Sequence, residues 1–352
     1  MDSGLKAVIL AAGYGKRLMP LTAGRPKHVL PLAGKPLISH TVEALVKAGI
    51  AEIGILLGYR SEEIVRALKK FDDVKLEYIY QEKIMGTGAA LRECMGFLAG
   101  EDHFLVVYGD ITLTPEVLTA LLDFFKQSKL DGVLAAVEVD ETGAYGVVET
   151  RDGLLNRVVE KRKLPGPVNA GIYILGGAVF EELDKTTPSV RGEIELTDAL
   201  NSLVARGVRI GVMFLEKGWW FDIGRPADYL AANQAYIGKL LGSGVMVEQK
   251  AYFGDKVSLK GPLIIGEGTV IEDNCVVEGP TMICGGVKIA AGSVVKTSVI
   301  LEDCYVGPGS KLHNSILCEK TVLEKGVEVT ADGFPAFVST PATTVKERLK
   351  IV

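Results

Sequence analysis

The sequence predicts an α/β fold, an open sheet covered by crossover helices and followed by a coil of very short strands. Two observations carry this. Up to about residue 235, short apolar runs alternate with helix-spaced apolar positions, and from residue 253 apolar residues recur every six positions instead. With 352 residues, 48% apolar and 24% charged, the chain is long enough for two cores.

In the first part AVILAA reads as a buried strand. Leu37, Ile38, Thr41, Val42, Leu45 and Val46 mark one face of a helix, and IGILLGY reads as the next strand. The pattern continues with LEYIYQ, a helix from Thr87, FLVVYGD, and a helix with Thr114 as N-cap and Pro115 in its first turn. Such strands are buried on both faces, which predicts a mostly parallel sheet with its ligand crevice beyond the carboxyl ends of the strands. Pro226 to Leu241 reads as a connecting helix, stopped by Gly242-Ser243-Gly244.

In the second part the recurring residues are Phe253, Leu259, Ile265, Ile271, Val277, Ile283, Ile289, Val295 and Leu301. Four positions after each come Val257, Leu263, Thr269, Cys275, Thr281, Val287, Ser293, Val299 and Tyr305, mostly small or β-branched. A period of six is not helical; two inward positions per six residues fit one flat side of a triangular coil. After Leu301 the phase slips by one, to Val306 and Leu312, which predicts a bulge or loop, and the pattern fades near Val329. It resembles the hexapeptide-repeat left-handed β-helix. The expected domains are 1–241 with the connecting helix, 250–335 for the coil, and a tail at 336–352.

A net charge of -5 without a Lys/Arg block argues against a nucleic-acid polymer as partner. No run of 18 apolar residues argues for a membrane span, so the chain reads as cytoplasmic. Cys94, Cys275, Cys284, Cys304 and Cys318 lack CxxC spacing and read as reduced, small apolar residues. A coil with an open end predicts a homo-oligomer.

The segment LAAGYGKRLMPLTAGRPK, residues 10 to 27, sets a strand end against three glycines and the cations Lys16, Arg17, Arg25 and Lys27. Glycines allow close backbone approach and the charges suit a polyphosphate. Neither GxGxxG nor GxxxxGK[ST] is present.

This loop resembles the GxGxRxxPxTxxxPK signature of sugar-1-phosphate nucleotidyltransferases, through Gly13, Gly15, Arg17, Pro20, Thr22, Pro26 and Lys27. Further matches follow in family order: Gln81 with GTGAAL at 86 to 91, YGD at 108 to 110, Tyr145-Gly146, Glu160-Lys161 and Asn169-Ala170-Gly171. RGEIELTD at 191 to 198 and FDIGRP at 221 to 226 complete the series. RGEIELTD and FDIG look most like glucose-1-phosphate thymidylyltransferases, and the coil looks like their long form and like archaeal-type UTP- or dTTP-using enzymes. Lys16 stands where the family usually has Thr or Ser, and Ala12 where Gly is common.

The resemblance implies a Rossmann-like open mixed sheet followed by a left-handed β-helix, and transfer of a nucleotidyl group from dTTP or UTP to a sugar 1-phosphate. The implied acceptor is glucose 1-phosphate, and pyrophosphate leaves. Arg17, Lys27, Asp110 and Asp222 are the implied catalytic residues, with Mg2+ held by the two aspartates. The Arg17 fork suits the β- and γ-phosphates, and Lys27 the α-phosphoryl group. Ala12, Gly13, Gly15 and Lys16 belong to the triphosphate loop. Gln81 matches the edge of uracil or thymine, while Gly86, beside Thr87, and Gly88 leave room for a flat base. Gly146 and Glu160 face sugar hydroxyls, Lys161 and Arg191 pair with the sugar phosphate, and Tyr145 and Asn169 line the pocket.

Three alternatives accompany this reading. A GTP-using mannose-1-phosphate guanylyltransferase shares the signature, although RGEIELTD weighs against it. A bifunctional enzyme would add acetyl transfer on the coil through His313, although KLHNSIL shows no recognisable acyl-transfer motif. A non-catalytic regulatory homologue would have lost some of Arg17, Lys27, Asp110, Lys161 and Asp222, all of which are intact.

Overall fold

A computed structural model describes residues 4–160, 162–189, 191–216, 218, 220–329, 334 and 337–346. They form two compact units. One comprises the chain up to Tyr14 and Leu37–Asp222; the other comprises Gly15–Pro36 and the chain from Ile223 onward.

The first unit holds a nine-stranded sheet. Its strands are β1 (Lys6–Ala11), β2 (Glu52–Leu57), β3 (Lys75–Tyr80), β4 (His103–Tyr108), β5 (Gly132–Val137), β6 (Gly146–Arg151), β7 (Leu154–Glu160), β8 (Val168–Gly176) and β9 (Ile210–Leu215). Their spatial order is β3-β2-β1-β4-β8-β5-β9-β7-β6. The first four strands are parallel, with Val8 level with Gly54 and Val106. Crossover helices such as Leu37–Lys47 and Pro115–Ser128 link strands of this kind. Ala7, Val8, Ile9 and Phe104 to Val107 are fully buried, as strands covered on both faces require. The helix Leu37–Lys47 buries Leu37, Ile38, Thr41, Val42 and Leu45, whereas Val46 is exposed.

The sheet is mixed rather than mostly parallel. β8 runs antiparallel to both β4 and β5, and β6 and β7 form a hairpin. Asp152 and Gly153 make its two-residue turn with φ of 52° and 78°, the left-handed pair that a tight hairpin needs.

In the second unit the chain passes through three parallel sheets in rotation. Val245–Val247, Tyr252–Phe253 and Ser258–Lys260 each start one sheet, and Leu263–Ile265 returns to pair with the first. Leu263 lies beside Thr281, Ile271 beside Ile289 and Val277 beside Val295. Ile265, Ile271, Val277, Ile283, Ile289 and Val295 form fully buried inner columns. A second inward series, Leu263, Thr269, Cys275, Thr281, Val287 and Ser293, is equally buried.

The slip lies one corner earlier than the sequence predicts, and nothing is inserted there. Ile283 pairs with Ile300 and Val295 with Leu312, so the corner at Thr297-Ser298 has lost one residue relative to Gly261-Pro262 and Gly279-Pro280. A second short corner falls at Asn314-Ser315, where Ile300 meets Leu317. Ile300 therefore replaces Leu301 in the inner column, and Ser298 and Cys304 replace Val299 and Tyr305 in the second series. The coil begins at Val245 and continues past Val329. Phe337–Val338 pairs with Ser315 and Ile316, and Thr344–Val345 with Val322 and Leu323. Part of the expected tail is thus coil; residues 347–352 lie outside the described residues.

The helix Pro226–Leu241 packs within this second unit. Its start is closed by Arg225 N donating to Asp228 Oδ2 at 2.8 Å. Tyr229 donates to Pro31 O at 2.6 Å, Asn233 Oδ1 accepts from Ala33 N at 2.9 Å, and Gln234 donates to Thr297 O at 2.9 Å. The five cysteines are free. Cys304 and Cys318 give their thiol protons to backbone carbonyls, and burial pushes both thiols up to about 12. Among the described residues no helix is long and apolar enough to cross a membrane.

Candidate active site

Asp110 follows β4 by two residues, at the carboxyl edge where an open α/β sheet binds its ligand. Ile111 forms an isolated antiparallel bridge with Asp222. Thr112 N donates to Phe221 O at 2.8 Å, and Phe221 N donates to Thr112 Oγ1 at 2.8 Å. Ile111 is buried on this seam. Two aspartate-bearing segments far apart in sequence therefore run side by side. Among the described residues no group of three or more His, Cys, Asp or Glu gathers for a metal. A pair of hard carboxylates suits magnesium, which takes one or two of them and fills its shell with phosphate oxygens and water.

Trp220 secures the neighbouring wall. Its indole N–H donates to Ala170 O at 2.8 Å, and its ring meets Tyr145 edge-on at 5.8 Å. The indole thus joins Tyr145 to the Asn169-Ala170-Gly171 segment.

Gly146 is level with Glu160 across the hairpin. Glu160 Oε1 accepts from Thr197 Oγ1 at 2.9 Å, and burial raises its carboxyl above the ordinary value despite Thr197 and Arg191. Arg191 Nη2 donates to Glu195 Oε1 at 2.5 Å, with Glu193 at 3.8 Å. Burial, with Glu193 and Glu160 nearby, pushes Glu195 up to about 7, against the pull of Arg191. Glu195 was not singled out from the sequence, although it sits inside RGEIELTD. Lys161 lies outside the described residues. Asn169 Nδ2 donates to Tyr173 OH at 2.6 Å, and Tyr173 donates to Tyr108 OH at 3.0 Å, while Asn169 Oδ1 accepts from Gly171 N at 3.0 Å.

The room predicted beside Gly86 and Gly88 is filled by protein. Gly86 has φ 101°, and a Cβ there would lie 2.6 Å from Ile194 O; one on Gly88 would lie 2.7 Å from Leu183 Cδ2. Gly88 N donates to Ile194 O and Ile194 N to Met85 O. These glycines let the GTG segment and RGEIELTD approach closely, which is why they are needed. Thr87 Oγ1 accepts from Leu196 N at 3.0 Å, satisfying a donor at the start of the helix Leu196–Ala205.

Gln81 follows β3 and donates its backbone N–H to Leu57 O at 2.8 Å. Its side chain is different. The residue is only 6% exposed, and neither amide atom has a partner among the described residues. Burying an unpaired amide is costly, so Gln81 holds a donor and an acceptor side by side that the described residues leave unsatisfied.

Ala12 is buried and Gly13 half-buried just beyond β1. Gly15, Lys16, Arg17 and Lys27 belong to the second unit. Gly15 takes φ 65° and opens a short helical turn, Lys16–Leu18, and its carbonyl accepts from Leu18 N and Thr22 Oγ1 at 3.0 Å. Leu18 and Leu21 are buried, while Lys16 and Arg17 are exposed. A Cβ on Gly15 would stand 3.2 Å from Lys27 Cβ, so the two ends of the loop meet. Arg25, counted from the sequence among the polyphosphate cations, is instead paired with Glu302 at 2.8 Å.

The family model described as Nucleotidyl transferase matches residues 6–239, and one described as GMPPB C-terminal domain matches residues 259–351. A protein of Methanococcus maripaludis named "Bifunctional protein GlmU" is 36% identical over 323 residues, covering 90% of this chain and 74% of that protein. A "Bifunctional sugar-1-phosphate nucleotidylyltransferase/acetyltransferase" of Sulfurisphaera tokodaii is 33% identical, covering 90% of this chain and 80% of that protein. Among solved structures, a UDP-glucose pyrophosphorylase complexed with UDP-glucose is similar with TM-score 0.60 and 29% identity, over 68% of this chain and 100% of that one.

Proposed function

The chain belongs to the nucleotidyl transferase family, and from that premise we propose that it transfers a nucleotidyl group from UTP or dTTP to glucose 1-phosphate. A phosphate oxygen of the sugar attacks the α-phosphorus in line, the bond to the β-phosphate oxygen breaks, and pyrophosphate leaves. The observation that carries this reading is the bridge between Ile111 and Asp222, which sets Asp110 and Asp222 at neighbouring positions. Magnesium held by these carboxylates would neutralise charge on the phosphates as it builds.

Both reactants are anionic, so the protein's part is to align them and offset repulsion. Arg17 donates two parallel hydrogen bonds to the departing phosphates, and Lys27 offsets charge on the α-phosphoryl group. Ala12, Gly13, Gly15 and Lys16 shape the loop around the triphosphate. Gln81 holds the base, and its buried amide, without a partner among the described residues, supports a pyrimidine edge with adjacent donor and acceptor. Gly86 and Thr87 support that side through the segment they dock. Glu160 and Gly146 hold sugar hydroxyls, Tyr145 and Asn169 line the sugar, and Lys161 and Arg191 pair with its phosphate. The three-sided coil is read as left-handed, the chain as a cytoplasmic homo-oligomer, and the catalytic domain as ending at residue 241.

The test is a panel of UTP, dTTP, GTP, CTP and ATP against several sugar 1-phosphates with Mg2+. Pyrophosphate release greatest with UTP or dTTP and glucose 1-phosphate is the expected outcome; release confined to GTP and mannose 1-phosphate overturns it. The relatives' names favour a second reading, acetyl transfer on the coil. His313 lies in the strand Lys311–His313. The same panel run with acetyl-CoA and glucosamine 1-phosphate, on the native chain and His313→Ala, tests it.

A further inference from the structure

Arg25 is committed within the second unit. Its guanidinium donates through Nη1 to Glu302 Oε1 at 3.1 Å and through Nη2 to Glu302 Oε2 at 2.8 Å, a two-pronged pair. Glu319 Oε2 lies 3.8 Å from Nη2. Lys320 N donates to Glu302 O, so the two glutamates sit on successive turns of the coil and the guanidinium spans both. The Arg25 side chain is 18% exposed and that of Glu302 38%, so the pair is partly shielded from solvent on the arginine side. Burial opposes charge on Arg25, yet Glu302 and Glu319 hold its pKa above the ordinary value; burial likewise opposes charge on Glu302, and Arg25 holds that carboxyl low.

The same contact reaches the backbone. A Cβ on Gly24 would lie 2.7 Å from Glu319 Oε1, so the chain at 24 rests against that carboxylate. After Arg25 comes Pro26, its ring limiting φ, here -69°, and then the turn Lys27–Val29, closed by Val29 N donating to Pro26 O. Beyond that turn Ala33 N is held by Asn233 and Gly34 N by Met282 Sδ at 3.2 Å. The turn that presents Lys27 is therefore clamped on both sides by groups of the coil and its helix.

We propose that Arg25 is a positioning residue, through which Glu302 and Glu319 of the coil hold the Lys27 turn in the form that meets a nucleoside triphosphate. This rests on the reading of Arg17 and Lys27 as phosphate-binding groups. It gives the coil a part in nucleotide affinity without any contact of its own with nucleotide.

The experiment uses the full chain as Arg25→Ala, Glu302→Gln and the double variant. Hydrogen exchange is followed over residues 15–30 without nucleotide, and KM is measured for UTP and for glucose 1-phosphate. Each single variant is expected to raise KM for UTP about tenfold and exchange in the loop by a similar factor, with the double variant no worse than either single one. KM for glucose 1-phosphate should stay within about twofold. Additive effects in the double variant, equal rises in both KM values, or unchanged loop exchange overturn the proposal. If Arg25→Ala fails to fold, the isosteric Glu302→Gln decides alone. Wild-type protein inactive throughout the substrate panel would defeat the proposed reaction, while the exchange measurement still shows whether the ion pair orders the loop.

Discussion

Asp110 owes its place to the chain around it. The backbone bonds from Thr112 to Phe221 and the bridge at Asp222 hold its segment at the end of β4. Asp110→Asn keeps the shape and removes one negative charge. It should cost at least about a hundredfold in kcat while leaving the melting temperature nearly unchanged. Pyrophosphate release and a thermal melt check this, and native-like turnover would remove the metal assignment. Residue type and family order pointed to both aspartates and to Gln81. What they could not convey is burial: only the structure shows that the Gln81 amide is enclosed and has no partner among the described residues. The glycines at 86 and 88 misled for the opposite reason. Their partner, Ile194, lies over a hundred residues away, and no local pattern announces that contact.

The helix Leu196–Ala205 carries a pH dependence at its start. Glu195 precedes it, paired with Arg191 and held up to about 7, against an ordinary value of 4.5. Between these values the folded chain keeps a proton that the unfolded chain has released, so stability falls as pH rises from about 4.5 to about 7 and then levels off. Glu160 is shifted in the same direction. Glu195→Gln should flatten that slope in denaturant titrations run between pH 5 and pH 7; an unchanged slope would assign it elsewhere. Other elements differ in how plainly they could be read. Asp152-Gly153, a hairpin turn between apolar runs, was passed over, whereas Pro226–Leu241 was legible from Pro226 at its start and Gly242 past its end. The antiparallel run of β8 was not legible, because a strand buried on both faces has the same composition in either direction. The short corner escaped because Ile300 and Leu301 are both apolar, and either could continue the column.

At the scale of the molecule, the six-residue period disclosed the three-sided coil and its inner columns. The alternation of runs and faces disclosed the α/β unit. The division between units was less visible, since compactness depends on contacts across hundreds of residues. Gly15–Pro36 and the helix Pro226–Leu241 share a unit with the coil, through Asn233, Gln234 and Arg25. A fragment ending at residue 241 would strip Arg25 of Glu302 and leave the Gln234 face of the helix bare. It should melt at least about 5 °C below the full chain and bind an apolar dye more strongly. Equal melting temperatures would mean that the coil contributes nothing to that segment's order.

The bond between Arg25 and Glu302 joins residues 277 positions apart, and that distance is also an interval of time. On a ribosome adding about 5–20 residues per second, the loop emerges roughly 15 to 55 s before its anchor does. Nascent chains would therefore hold the first sheet long before this clamp can close, and the newborn enzyme would gain its full grip on nucleotide only once the coil around Glu302 has emerged.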